Sequence, residues 1–117
     1  MSLYTPASPS LEPVADLERW QIREVAGGNG PTMHFVGRIV GEDGRVSSRI
    51  VSFDRRSMEG VTRSGRRYRL LGEPGTDGDA EYVWSHWVRI NGVSEWTAAT
   101  PERLEESLAG GRSTPAP

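Results

Sequence analysis

The most strongly patterned stretch of the chain runs from Val61 to Ile90 and reads VTRSGRRYRLLGEPGTDGDAEYVWSHWVRI. Val61-Thr62-Arg63 and Arg66 to Leu71 have strand character, and Ser64-Gly65 between them supplies the positive φ of a tight hairpin turn. Along the second strand Arg66, Tyr68 and Leu70 share one side, while Arg67, Arg69 and Leu71 share the other. Tyr68 and Leu70 are expected to point inward, which leaves Arg67 and Arg69 in water. Gly72-Glu73-Pro74-Gly75 then reads as a type II turn. Beyond it, Ala80, Val83, Trp84, Trp87, Val88 and Ile90 fall on one face of a helix at ~100° per residue. Glu81, Tyr82, Ser85, His86 and Arg89 fall on the opposite face. Asp77 and Asp79 are N-cap candidates, and Asn91-Gly92 closes the helix. Two tryptophans of ~200 Å² each make this helix the expected centre of the core.

The flanks carry weaker patterns. Leu17 to Val25 reads as a first strand with Trp20 and Ile22 on one side, a short helical start at Ala15 to Arg19 being the alternative. Ala26 to Pro31 is a loop. Thr32 to Val40 and Arg45 to Phe53 form a second hairpin around Gly41-Glu42-Asp43-Gly44. Apolar residues occupy both sides of these strands, which predicts a strongly curved sheet, with Gly37 at a bend or bulge. Val93 to Trp96 is extended, with Trp96 folding back onto the core. Thr100-Pro101 opens a last short helix with Leu104 and Leu108 as its apolar pair, and Gly110-Gly111 ends it. The expected fold is α+β, a curved antiparallel meander of about five strands, open or barrel-like, packed on one amphipathic helix, with a short C-terminal helix. The expected organisation is a disordered leader over residues 1–13, a single domain over 14–109 and a disordered tail over 110–117.

Composition narrows the function classes. A chain of 117 residues accommodates one domain. It has no cysteine, so a disulfide framework and thiolate chemistry are excluded. The N-terminus lacks the pattern of a secretory signal, and no apolar run approaches the ~20 residues that span a bilayer. A cytoplasmic location without membrane association is expected. The net charge of −2 hides an uneven distribution: eight arginines against two acids from Gly44 to Leu70, then eight acids against two arginines from Leu71 to Leu108. Every basic residue is arginine. Either the genome is GC-rich, or the chain needs the forked contacts that arginine makes with phosphate and carboxylate.

Sites for catalysis are not evident. His34 and His86 lie far apart, and neither has a metal-ligand spacing. No serine sits in a nucleophile elbow, and the glycine cluster at residues 27–30 is not followed by Lys-Ser/Thr or by a helix. Asp77 and Asp79 are explained by helix capping, and Glu105 and Glu106 by a solvated helix face. The reading is therefore a non-enzyme without metal or cofactor. Two binding surfaces are predicted. Arg63, Arg66, Arg67 and Arg69 at the hairpin suit nucleic acid or another anionic partner, with Tyr68 as a stacking candidate. Tyr82, His86 and Arg89 on the outer helix face suit a protein partner. The sequence does not specify the oligomeric state.

The run TRSGRRYRLLGEPGTDGDAEYVW, with SSRIVSFD before it, resembles a pattern of small uncharacterised bacterial proteins associated with phages and mobile elements. The resemblance covers roughly Ser47 to Gly92 and implies no established site residues. It implies an accessory protein that binds and modulates, for example inhibits, a host protein or nucleoprotein complex such as a defence nuclease. A nucleic-acid-binding β-ribbon using the Arg-rich hairpin is the alternative.

Overall fold

The computed structural model describes residues 13–27 and 30–113. Seven strands and two helices follow in the order β1 (Val14–Val25), β2 (Thr32–Ile39), β3 (Gly44–Val46), β4 (Ile50–Asp54), β5 (Glu59–Thr62), β6 (Arg67–Leu70), α1 (Gly78–Ile90), β7 (Trp96–Ala99) and α2 (Pro101–Ser113). The expected leader lies outside the described residues except for Pro13, whose carbonyl accepts a hydrogen bond from the Arg67 amide. Of the expected tail, residues 114–117 lie outside them, while α2 continues through Gly110-Gly111 to Ser113. Glycine weakens a helix by about 1 kcal/mol without breaking it as proline does.

The α+β class agrees with the pattern, but the sheet is mixed rather than an antiparallel meander, and it has seven strands rather than five. Its strand path is β3-β2-β1-β6-β5-β4, with β7 also paired to β1. The parallel element is β1 with β6, where Val14 faces Arg67 and Leu17 faces Leu70. The segment read as one strand from Arg45 to Phe53 is two. At the break, the Ser47 hydroxyl accepts from the Phe35 amide and donates to the Ser48 carbonyl, which draws the chain out of the β2 ladder. The seventh strand, β7, continues the line of β6 along the same side of β1 and pairs antiparallel with its second half, Ile22 to Ala99.

The break forces curvature. Strands β3 and β4 stand at opposite ends of the six-strand path, yet only Ser47, Ser48 and Arg49 join them. Six strands laid flat would hold their outer members ~24 Å apart at ~4.8 Å per step. A link of this length reaches only ~14 Å. The sheet therefore curls without closing.

Strand β1 follows this curl by means of a bulge. Arg19 and Trp20 together oppose Gly37, and Arg19 has φ of 49°. The extra residue changes the side-chain parity, so that Ala15 and Leu17 before it and Trp20 and Ile22 after it all reach the same buried cluster. A Cβ on Gly37 would lie 3.0 Å from the Trp20 Cα, which explains the glycine at this point.

Two apolar clusters result. The larger, inside the curl, contains Leu17, Phe35, Ile39, Tyr68 and Leu70 and is plugged by Leu104 of α2. The smaller, on the outer face of β1 and β2, contains Val25, Val36, Ala80 and Trp84, with Trp87 and Val88 packed against it. Helix α1 thus covers the outer cluster instead of supplying the centre of the main core. Its apolar stripe is also one residue shorter than its periodicity implies, because Ile90 is 77% exposed. Asp77 caps α1 by accepting the Ala80 amide, as its position predicts. Asp79 instead accepts the Gly44 amide and ties the helix to β3.

Candidate functional site

The β5–β6 hairpin forms where the sequence places it, with Gly65 at φ of 96° in the turn. Its four arginines have different fates. Arg66 shares the inward side with Tyr68 and is 4% exposed, so little of it is open to an external ligand. Arg67 and Arg69 project into water from the other side, as the alternation requires. Arg67 meets Glu59 at 3.6 Å. Arg69 makes a forked contact with Asp16, Nε to Oδ1 at 2.7 Å and Nη2 to Oδ2 at 3.1 Å. That contact holds the Asp16 carboxyl below its usual value and raises the Arg69 guanidinium. The neutralising acids come from β1 and β5, not from the acidic C-terminal third. Arg63, at the turn, is exposed and has no acidic partner among the described residues.

The outer face of α1 brings Tyr82, His86 and Arg89 together. The Tyr82 ring meets His86 edge-on at 4.6 Å between centroids. Tyr82 is 54% exposed, and Ile90, the last residue of the helix, is an exposed apolar side chain away from it. The inner face of α1 is fixed by an aromatic row. Trp84 and Trp87 stack at 5.1 Å, Trp87 meets His34 at 4.6 Å, and Trp96 meets Trp84 edge-on at 5.3 Å. The buried Arg23 guanidinium lies 4.5 Å from the Trp96 ring centre and is held by Gln21 and Glu81. Trp96 thus folds back as expected, although it keeps substantial exposure. These contacts pack the inner face of α1 onto the sheet and leave its outer face to solvent.

A groove opens between the end of α1, the loop after β1 and the β3–β4 link. Its lining includes Thr32, His34, Arg49, Arg63, Trp87 and Asn91. His34 is buried at its floor. Its Nδ1 lies 2.9 Å from the Ser47 carbonyl and its Nε2 lies 2.8 Å from the Thr32 hydroxyl. A carbonyl can only accept, so Nδ1 carries the proton and Nε2 accepts from Thr32. Burial lowers the His34 pKa, against a smaller opposing contribution from the Ser47 carbonyl. Sequence reasoning did not single out this groove. Arg49 and Trp87 were legible only as one member of a basic run and one member of an apolar stripe.

Among the described residues no three His, Asp or Glu side chains come together to hold a metal ion, and no helix is long and apolar enough to cross a membrane. No protein-family model matches the chain, and neither the curated proteins nor the solved structures include a significant match.

Proposed function

We propose that this protein is a non-enzymatic binding module, a phage or mobile-element type accessory protein of the cytoplasm. In this reading it docks on a host protein or nucleoprotein complex, such as a defence nuclease, and modulates it through the outer face of α1. The observation that carries the reading is the pairing of an exposed outer face with a tightly packed inner face on that helix. Tyr82 is 54% exposed and Arg89 is exposed beside it, while the opposite face is packed through stacked tryptophans. Aromatic and arginine side chains presented on a fixed element cost little ordering entropy when a partner covers them, and such residues dominate interface energetics.

A ribbon that enters nucleic acid through Arg63, Arg66, Arg67 and Arg69 finds less support. A phosphate would have to displace Asp16 and Glu59 from Arg69 and Arg67, and Arg66 is buried.

Affinity capture from a host-cell lysate tests the helix-face reading, with Tyr82→Ala and Arg89→Ala run beside the wild type. The expected outcome is a discrete complex retained by the wild type and lost by both variants at unchanged thermal stability. Equal capture by all three proteins would remove the helix face as the contact surface.

A further inference from the structure

Arg49 and Arg63 form a like-charged pair across two neighbouring strands. The β4–β5 register places Ile50 opposite Thr62, so these arginines are the next partners outward, and the Arg63 amide donates to the Arg49 carbonyl at 2.8 Å. Residues opposed in this way project to one side with Cβ atoms ~4.5–5.5 Å apart, where like charges repel. Both side chains are exposed, and neither has an acidic partner among the described residues. Among the described residues at least seven other arginines each meet a carboxylate. A chain that pairs its arginines so widely leaves two of them side by side at one place.

That place is the rim of the groove beside α1. The groove has a volume of about 390 Å³, and among the described residues no carboxylate belongs to its lining. The size lies within the ~300–1,000 Å³ of small-ligand sites. The Trp87 indole lines the groove, as do Thr32 and Asn91. His34 below them has both ring nitrogens engaged and its pKa lowered by burial.

We infer that this groove binds a nucleotide phosphate, with Arg49 and Arg63 gripping the phosphate and Trp87 offering its ring to the base. Guanidinium forks match phosphate oxygens, and an indole accepts any base by stacking. A simple carboxylate would satisfy the arginines but leave uncovered the groove-lining part of the indole, the surface that Trp84 and His34 do not take. The same chemistry is offered by a free nucleotide and by a single-stranded nucleic-acid end. The inference stands apart from the helix-face reading, since it uses none of Tyr82, His86 and Arg89.

The test measures binding of AMP, inorganic phosphate and a short fluorescein-labelled, 5′-phosphorylated single-stranded DNA, by tryptophan fluorescence and anisotropy at low salt. The proteins are the wild type, Arg49→Ala/Arg63→Ala and Arg67→Ala/Arg69→Ala. Loss of the two grips is expected to weaken binding at least about tenfold. The Arg67/Arg69 variant, which touches arginines already paired with carboxylates, is expected to bind within about threefold of the wild type. Thermal stability of the Arg49/Arg63 variant should be unchanged or raised, since a repulsive pair is removed. AMP binding as tightly as the DNA supports a free nucleotide. DNA binding much more tightly, with AMP a weak competitor, supports a strand end. Phosphate competing as well as AMP would overturn the assignment of a nucleotide, because the base would then contribute nothing. Absence of binding to every probe, or equal binding by the Arg49/Arg63 variant, would overturn the site.

Discussion

Arg23 on β1 and Glu81 on α1 clamp the outer helix to the sheet through a two-point guanidinium–carboxylate contact, with Nη1 to Oε1 at 3.0 Å and Nη2 on Oε2. The pair is asymmetric: the Arg23 side chain is buried, whereas that of Glu81 is 40% exposed. Taking away the carboxylate leaves a buried cation between two tryptophans with only Gln21, among the described residues, to receive its protons. Glu81→Ala is therefore expected to destabilise the fold by about 2 kcal/mol, below the full cost of orphaning a wholly buried charge because water reaches the carboxylate side. Arg23→Met should cost less than Glu81→Ala, since it removes the charge and keeps apolar volume. Denaturant unfolding of both variants measures the order, and a reversed order would show that the guanidinium, not the carboxylate, dominates the contact.

Helix α1 approaches β3 so closely that backbone touches backbone. A Cβ on Gly44 would lie 2.3 Å from the Ala80 amide nitrogen, and the Gly44 amide bonds the Asp79 carboxylate. The atoms such a Cβ would meet, Ala80 N and Cα and Asp79 C, are all backbone, so the helix must move. Gly44→Ala is expected to cost about 3 kcal/mol, the upper part of the range for overpacking. Gly78 supplies the contrast. It stands in the first turn of α1 with nothing near a would-be Cβ, so Gly78→Ala should stabilise by about 0.5 kcal/mol by restricting the unfolded chain. Thermal melts of the two variants should move in opposite directions.

A buried histidine and a helix-capping carboxyl both shape the pH dependence of stability. Burial drives the His34 pKa below its ordinary 6.5. The folded protein holds His34 neutral while the unfolded chain takes up a proton, so its contribution is complete above pH 6.5 and is lost as the pH falls below that value. The melting temperature is expected to decline from pH 6.5 downward, and His34→Gln should flatten that decline. At lower pH, Asp77 acts with the same sign. Burial would raise its pKa, but the Ala80 amide and the neighbouring Arg38 and Arg19 outweigh burial and hold it below 3.8. Its contribution is present above pH 3.8 and disappears as the pH falls through the depressed value. Asp77→Asn, which keeps a capping oxygen and loses the charge, should flatten the acid limb. A wild-type profile flat between neutrality and pH ~5 would contradict the burial of His34 as the cause.

The parts of the fold that were legible in the sequence are those set by neighbours in the chain. Ser64-Gly65 makes its hairpin, Asp77 caps α1, Thr100-Pro101 opens α2, and Leu104 is fully buried as the paired leucines predict. Pairing across long separations was not legible. Nothing in Val14 to Leu17 or Arg67 to Leu70 announces a parallel partner, because the alternation of a strand is the same for either direction. The weakly apolar Trp96-Thr97-Ala98-Ala99 gave little sign of a seventh strand, since two alanines offer almost no side-chain signal. The burial of Arg23 was equally hidden. An arginine enters an interior when other parts of the chain engage it, and the Gln21–Glu81 clamp is visible only after β1 and α1 meet. The candidate groove follows the same rule, since it draws on β2, the β3–β4 link, the β5–β6 turn and α1.

The long strand β1 receives its neighbours on one side from β6 and then from β7. During synthesis, the first strand of the described fold would leave the ribosome with half of that side unable to pair until Trp96 to Ala99 emerges. Contacts between such distant segments slow folding and prolong the exposure of open backbone. A nascent chain halted between α1 and β7 would carry a strand edge open to other chains, and it is the stage at which a chaperone would have most to protect.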